Sequence, residues 1–148
     1  MIKYIPQDTS IVFSEIPDEI TLAINISNCQ NRCVGCHTPY LRENLGDELT
    51  EEVLHNLITN NNGISCVCFM GEGNDPESLK SLARYVHSIS DLKVALYSGR
   101  EEVEDELYDI FDYLKIGPYK KECGPLNEKT TNQRLYKNRV DITNKFWR

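Results

Sequence analysis

Cys29, Cys33 and Cys36 stand in a C-x3-C-x2-C spacing within "NCQNRCVGCHTPYL", and His37 follows at once. Thiolates so close in sequence suit disulfide, zinc or iron–sulfur chemistry. A disulfide framework is poorly served by an odd local set of cysteines in a reducing compartment. A structural zinc site wants four ligands, usually as two separate pairs. Cys29, Cys33, Cys36 and His37 supply four on paper, but His37 is adjacent to Cys36, and one short loop rarely wraps four side chains around one ion. Cys66, Cys68 or Cys123 could complete such a set from farther away. An iron–sulfur cluster normally takes four thiolates. With three, one iron keeps an open position for a small molecule, as in a catalytic metal site.

The surrounding elements must hold that loop. "TLAINIS" (21–27) is rich in β-branched and apolar residues and leads straight into the cysteines, so it reads as a buried strand. "DELTEEVLHNLITNN" places Val53, Leu54, Leu57 and Ile58 on one helical face. "ISCVCFM" (64–70) is a short apolar run ending at Gly71, as expected of a strand covered on both faces. "NDPESLKSLARYVHSIS" offers Asp75 as a cap, Pro76 at the first helical position, and Leu79, Leu82, Ala83 and Val86 at helical spacing. "LKVALYSG" (92–99) reads as a strand, "REEVEDELYDIF" as a helix and "DYLKIGPY" (112–119) as a further strand.

This alternation predicts an α/β fold, with consecutive βαβ units on a mostly parallel sheet. Chemistry then collects at the carboxyl ends of the strands. Three loops should converge there: Cys29 to His37, "GEGND" (71–75) and "YSGR" (97–100). The 148 residues suit a single domain over 1–148, with an edge strand or hairpin in 1–20 and a C-terminal extension over 120–148. The net charge of −7 argues against a nucleic-acid partner. No apolar stretch has the length of a signal peptide or a membrane span, so a cytoplasmic protein with reduced thiols and no membrane partner is expected.

The cysteine spacing is that of radical S-adenosylmethionine enzymes. Gly35 before the last cysteine, then "CHTPYL", resembles a narrower group, the anaerobic ribonucleoside-triphosphate reductase activating proteins. Other radical enzymes often carry an aromatic residue at the position of Gly35. "FMGEGNDPESL" resembles that family's glycine-rich loop, although the run Gly71-Glu72-Gly73 interrupts the plain pattern and leaves open which glycine meets the cofactor. "YSG" (97–99), "KIGPY", "GPLNEKTTNQRLY" (124–136) and "DITNKFWR" match further segments in the same order, from about residue 22 onward.

The resemblance implies a shortened partial (β/α) barrel of the radical S-adenosylmethionine type. It implies a [4Fe–4S] cluster on Cys29, Cys33 and Cys36, with S-adenosylmethionine on the open iron. Gly35, Cys36, His37, Gly71, Glu72, Gly73 and Ser98 are the implied cofactor-binding positions. The implied activity is reductive cleavage of S-adenosylmethionine, with the 5′-deoxyadenosyl radical forming a glycyl radical on anaerobic ribonucleoside-triphosphate reductase. An electron donor such as flavodoxin or ferredoxin is the further partner.

Plainer readings stand beside these. His37 could be an exposed loop histidine, Gly71 and Gly73 a turn that needs positive φ, and Glu72 a solvated residue near a helix start. Cys66 and Cys68 share one face of a strand, which suits burial. Cys123 is a loop thiol without an assigned role. Asn132, Gln133 and Arg134 could bind a partner or pin the C-terminal segment. His55 and His87 lie in helical patterns, packed or facing solvent. Alternative functions are a radical enzyme acting on another glycyl-radical protein or on a small molecule, and, from a different class, a zinc-binding interaction domain.

Overall fold

The computed structural model describes residues 2–13, 15–27, 46–118, 120 and 122–146. Cys29, Cys33, Gly35, Cys36 and His37 lie outside the described residues. Among the described residues no helix is long and apolar enough to cross a membrane.

Strand β1 (Lys3–Tyr4) pairs antiparallel with β4 (Asp47–Glu48) in a small separate sheet. The main sheet holds β2 (Ser10–Val12), β3 (Thr21–Asn25), β5 (Cys66–Met70), β6 (Lys93–Tyr97), β7 (Tyr113–Ile116), β8 (Arg134–Lys137) and β9 (Val140–Asp141), in the order β2-β3-β5-β6-β7-β8-β9. Helices α1 (Glu51–Thr59), α2 (Pro76–Ile89) and α3 (Leu107–Ile110) connect the central strands.

The expected mostly parallel sheet and partial barrel are not what forms. β3, β5, β6 and β7 run parallel, but β2–β3, β7–β8 and β8–β9 are antiparallel. The result is a mixed seven-stranded sheet that stays open, with β2 and β9 as its edges. The connections explain this. A parallel neighbour needs a long crossover, whereas a short link gives an antiparallel one. Asn138 and Arg139, both at positive φ (49° and 70°), turn β8 directly into β9. Among the described residues no helix lies between β7 and β8.

The local signals are realised where they are strong. Thr50 caps α1 by accepting from the Val53 amide at 3.2 Å. Asp75 caps α2 by accepting from the Ser78 amide at 3.2 Å, ahead of Pro76. α3 is only one turn, shorter than the pattern over 100–111 suggested. Glu101, Glu102, Glu104, Asp105 and Glu106 crowd the segment before it, and like charges at helical spacing oppose propagation.

Both faces of the sheet are covered, in different ways. One carries Leu22, Ile24, Val67, Phe69, Val94, Leu96 and Leu114 against Leu54, Leu79, Leu82, Ala83, Val86 and Leu107 of the helices. Burying each such side chain contributes about 1.5–3 kcal/mol. Among the described residues the other face carries no α-helix in its core. There Cys66, Cys68, Ala95, Tyr113 and Leu135 lie under Ile16 from the β2–β3 connection and Ile142 and Phe146 from the C-terminal segment. Glu19 fastens that cover, accepting from Tyr113 Oη and Ser65 Oγ, each at 2.6 Å.

Candidate functional site

Asn25, Met70, Tyr97 and Lys115 lie in register across the four parallel strands, so the strands reach a common edge. Pairing continues one step beyond it. The Ile26 amide donates to the Met70 carbonyl (3.1 Å), Gly71 to Tyr97 (3.0 Å) and Ser98 to Lys115 (2.8 Å). Each outgoing loop is therefore tied to the strand beside it before it leaves the sheet.

The loop carrying the cysteines is held at both stems. On the way in, the Ser27 amide donates to the Lys3 carbonyl at 3.0 Å. On the way out, Gly46 (φ +87°) packs on the Tyr4 backbone, where a Cβ would overlap the carbonyl oxygen and lie 2.8 Å from its carbon. Asp47 then pairs with Tyr4. Gly46 was not among the expected site residues, and the sequence marks it only as a glycine ahead of "DELT".

Gly71 and Gly73 play different parts in the adjoining turn. Gly73 (φ +66°) is buried, and a Cβ there would stand 3.0 Å from Ile26 Cγ2, 3.2 Å from Ile2 Cδ1 and 3.4 Å from the Ser27 carbonyl. It seats the turn against the stem of the cysteine loop. Gly71 (φ +110°) is half-buried, and a Cβ would make only ordinary contact with the Ile26 carbonyl oxygen at 3.4 Å. What Gly71 supplies is a backbone conformation closed to other residues.

Glu72 and Ser98, both expected at the site, meet there. Ser98 Oγ donates to Glu72 Oε2 at 2.7 Å. Arg100, which the sequence did not single out, completes the group: its Nε donates to Glu72 Oε2 (2.9 Å) and its Nη2 to Oε1 (2.6 Å). The same guanidinium reaches Glu104 through Nη1 (3.2 Å) and Nη2 (2.8 Å). Hydrogen bonding to Glu72, then to Glu104, raises the Arg100 pKa, and the Arg100 bond holds the Glu104 carboxyl down at about 2.

Lys115 was also missed, since a lysine in a strand ordinarily points to water. Here it is 7% exposed and its ammonium donates to the Ser98 (3.1 Å) and Gly117 (2.9 Å) carbonyls, 5.7 Å from the centre of the Tyr97 ring. Gln133 Nε2 reaches the same Gly117 carbonyl at 3.4 Å, and Asn132 Nδ2 donates to Pro118 at 3.0 Å. These two residues thus pin the C-terminal segment to the end of β7. Arg134 begins β8 and pairs with Asp141 at 3.6 Å.

The remaining described cysteines divide. Cys66 and Cys68 are fully buried on the face without helices, away from the carboxyl edge. Burial pushes the Cys66 thiol up to about 12 and raises that of Cys68 as well. Cys123 is half-buried. Among the described residues no group of three or more His, Cys, Asp or Glu side chains could hold a metal ion.

No family model, curated protein or solved structure matches the chain.

Proposed function

We propose that this protein is an iron–sulfur activating enzyme that cleaves S-adenosylmethionine reductively and forms the glycyl radical of anaerobic ribonucleoside-triphosphate reductase. The observation that carries the reading is the Cys29-x3-Cys33-x2-Cys36 spacing in the loop between Ser27 and Gly46. It draws on the cysteines and their neighbours, not on the shape of the sheet.

The donor set fits. Three thiolates from Cys29, Cys33 and Cys36 would hold a [4Fe–4S] cluster and leave one iron for the amino and carboxylate groups of S-adenosylmethionine. When bound and reduced, by a donor such as flavodoxin or ferredoxin, the cluster supplies the electron that breaks S-adenosylmethionine into methionine and the 5′-deoxyadenosyl radical, which takes hydrogen from a glycine of the reductase.

The chain's own part is to bind and orient. Ser27 and Gly46 anchor the two stems of the cysteine loop. Gly73 presses the 71–75 turn against the incoming stem, and Gly71 leaves the edge free of a side chain. Glu72, at this edge, is the acidic group suited to accept from the N–H groups of the S-adenosylmethionine amino group, and Ser98 Oγ orients its carboxylate. Gly35 and His37 flank the last ligand and are assigned to the cofactor by resemblance.

Anaerobic reconstitution tests the reading. The protein should take up about four irons and four sulfides per chain, release 5′-deoxyadenosine from S-adenosylmethionine on reduction, and give a glycyl-radical resonance on the reductase. Tight zinc with no cluster would overturn it in favour of an interaction domain. Cleavage with no radical on the reductase would assign the enzyme to another substrate.

A further inference from the structure

We propose that Arg100 is a resident competitor for Glu72: it occupies the carboxylate that an amine-bearing ligand of this edge must use, and yields it by withdrawing onto Glu104. The inference rests on the proposed function for the identity of the ligand, S-adenosylmethionine, whose amino nitrogen would ligate the open iron while its N–H groups donate to Glu72.

Glu72 is largely enclosed, its side chain 14% exposed, and both oxygens are engaged: Oε2 by Ser98 and Arg100, Oε1 by Arg100. A carboxylate whose oxygens already accept from a bidentate guanidinium is a poor acceptor for a further N–H donor. Arg100 cannot move as a whole. Its amide donates to Ser98 Oγ at 3.1 Å, and its carbonyl accepts from the Gly117 amide at 2.7 Å. The side chain alone is free to swing, and Glu104, 52% exposed and already in contact, keeps the guanidinium paired when it does. Once the guanidinium withdraws, Glu72 Oε1 is open to accept an N–H from the incoming amino group. Ser98 stays behind to orient Glu72.

This arrangement fixes opposite signs for two substitutions. Arg100→Gln removes the competitor, while Glu104→Gln removes its alternative partner and tightens its hold on Glu72. A shared scaffolding role would move both the same way.

The test is calorimetric titration of S-adenosylmethionine into the reconstituted protein with the cluster oxidised, so that no turnover occurs. Arg100→Gln should lower Kd roughly tenfold, equal to about 1.4 kcal/mol, and Glu104→Gln should raise it severalfold. The control ligand is 5′-deoxy-5′-methylthioadenosine, which lacks the amino-acid moiety, and its Kd should not change in either variant. Weaker or unchanged binding of S-adenosylmethionine by Arg100→Gln, or equal shifts for the two ligands, would overturn the competition while leaving the proposed function standing. Failure of the wild type itself to bind S-adenosylmethionine would overturn both. If Arg100→Gln does not fold, Glu104→Gln decides: a raised Kd confined to S-adenosylmethionine supports the proposal, and an unchanged one ends it.

Discussion

Gly46 and Tyr4 meet backbone to backbone, so that the closing stem of the cysteine loop rests on the N-terminal strand with no room for a Cβ between them. Gly46→Ala must therefore push the stem off β1 as well as adopt a left-handed conformation. Overpacking and backbone strain each cost about 1–3 kcal/mol. Gly63 (φ +90°) has nothing within 4 Å of where its Cβ would be. Gly63→Ala should lose only the conformational part, roughly 1–2 kcal/mol. Urea unfolding of the two variants checks the difference.

Lys115→Met should destabilise the protein by about 1–3 kcal/mol, because the Ser98 and Gly117 carbonyls lose a charged donor in a buried place. Urea unfolding reads the loss. Amide exchange adds a local sign: the Ser98 and Gly117 N–H groups, bonded across to the Lys115 and Arg100 carbonyls, should exchange faster.

Replacing Cys29, Cys33 or Cys36 by alanine should abolish the stable cluster and cofactor cleavage, whereas Cys123→Ala should leave both intact. Iron and sulfide analysis with a 5′-deoxyadenosine assay tests this. Equal loss from Cys123→Ala would refute the assigned ligands.

Cys66 and Cys68 should resist alkylation in the folded protein. The thiolate is the reactive form, and the Cys66 thiol, held up at about 12, stays protonated at pH 8.5, as does that of Cys68, which burial also raises. Iodoacetamide followed by peptide mass spectrometry should mark Cys123 in the native state. Cys66 and Cys68 should be marked only in denaturant.

Acid should weaken the Arg100–Glu104 contact in a defined window. The Glu104 pKa is lowered to about 2 when folded, against about 4.3 for an ordinary glutamate. Its contribution is thus complete above about pH 4.3 and is lost as pH falls through about 2. With Glu104 half exposed, the effect is small. Glu104→Gln should flatten the fall in stability over that range, its small cost being complete at pH 7 and vanishing near pH 2, as followed by denaturation across a pH series.

The parts of this molecule that local chemistry dictates are legible along the chain. Asp75-Pro76 announces α2, and the apolar runs at 21–27, 64–70 and 92–99 mark β3, β5 and β6. What fails is whatever depends on distant pairing. Nothing in "RLYKNRVD" says that β9 folds back on β8, because the turn uses Asn138 and Arg139 at positive φ instead of glycine. The antiparallel strands β2, β8 and β9 are what make the sheet mixed. At the site, the alternation of elements places the loops 71–75 and 97–100 at one edge, and the family resemblance singles out Gly71, Glu72, Gly73 and Ser98 within them. Nothing singles out Arg100 and Lys115, since a charged side chain reads as solvated until its partners on other strands are known. Gly46 gains its meaning only from Tyr4, far upstream.

Because Asn25, Met70, Tyr97 and Lys115 stand in register, the loops above them rise from a level base. Residues added to or removed from those loops leave the pairing beneath untouched, whereas one residue inserted within a strand would turn its side chains over to the opposite face. Variation in this molecule is therefore cheapest directly above the sheet, where the proposed ligand and partner would be met, and most costly one step below.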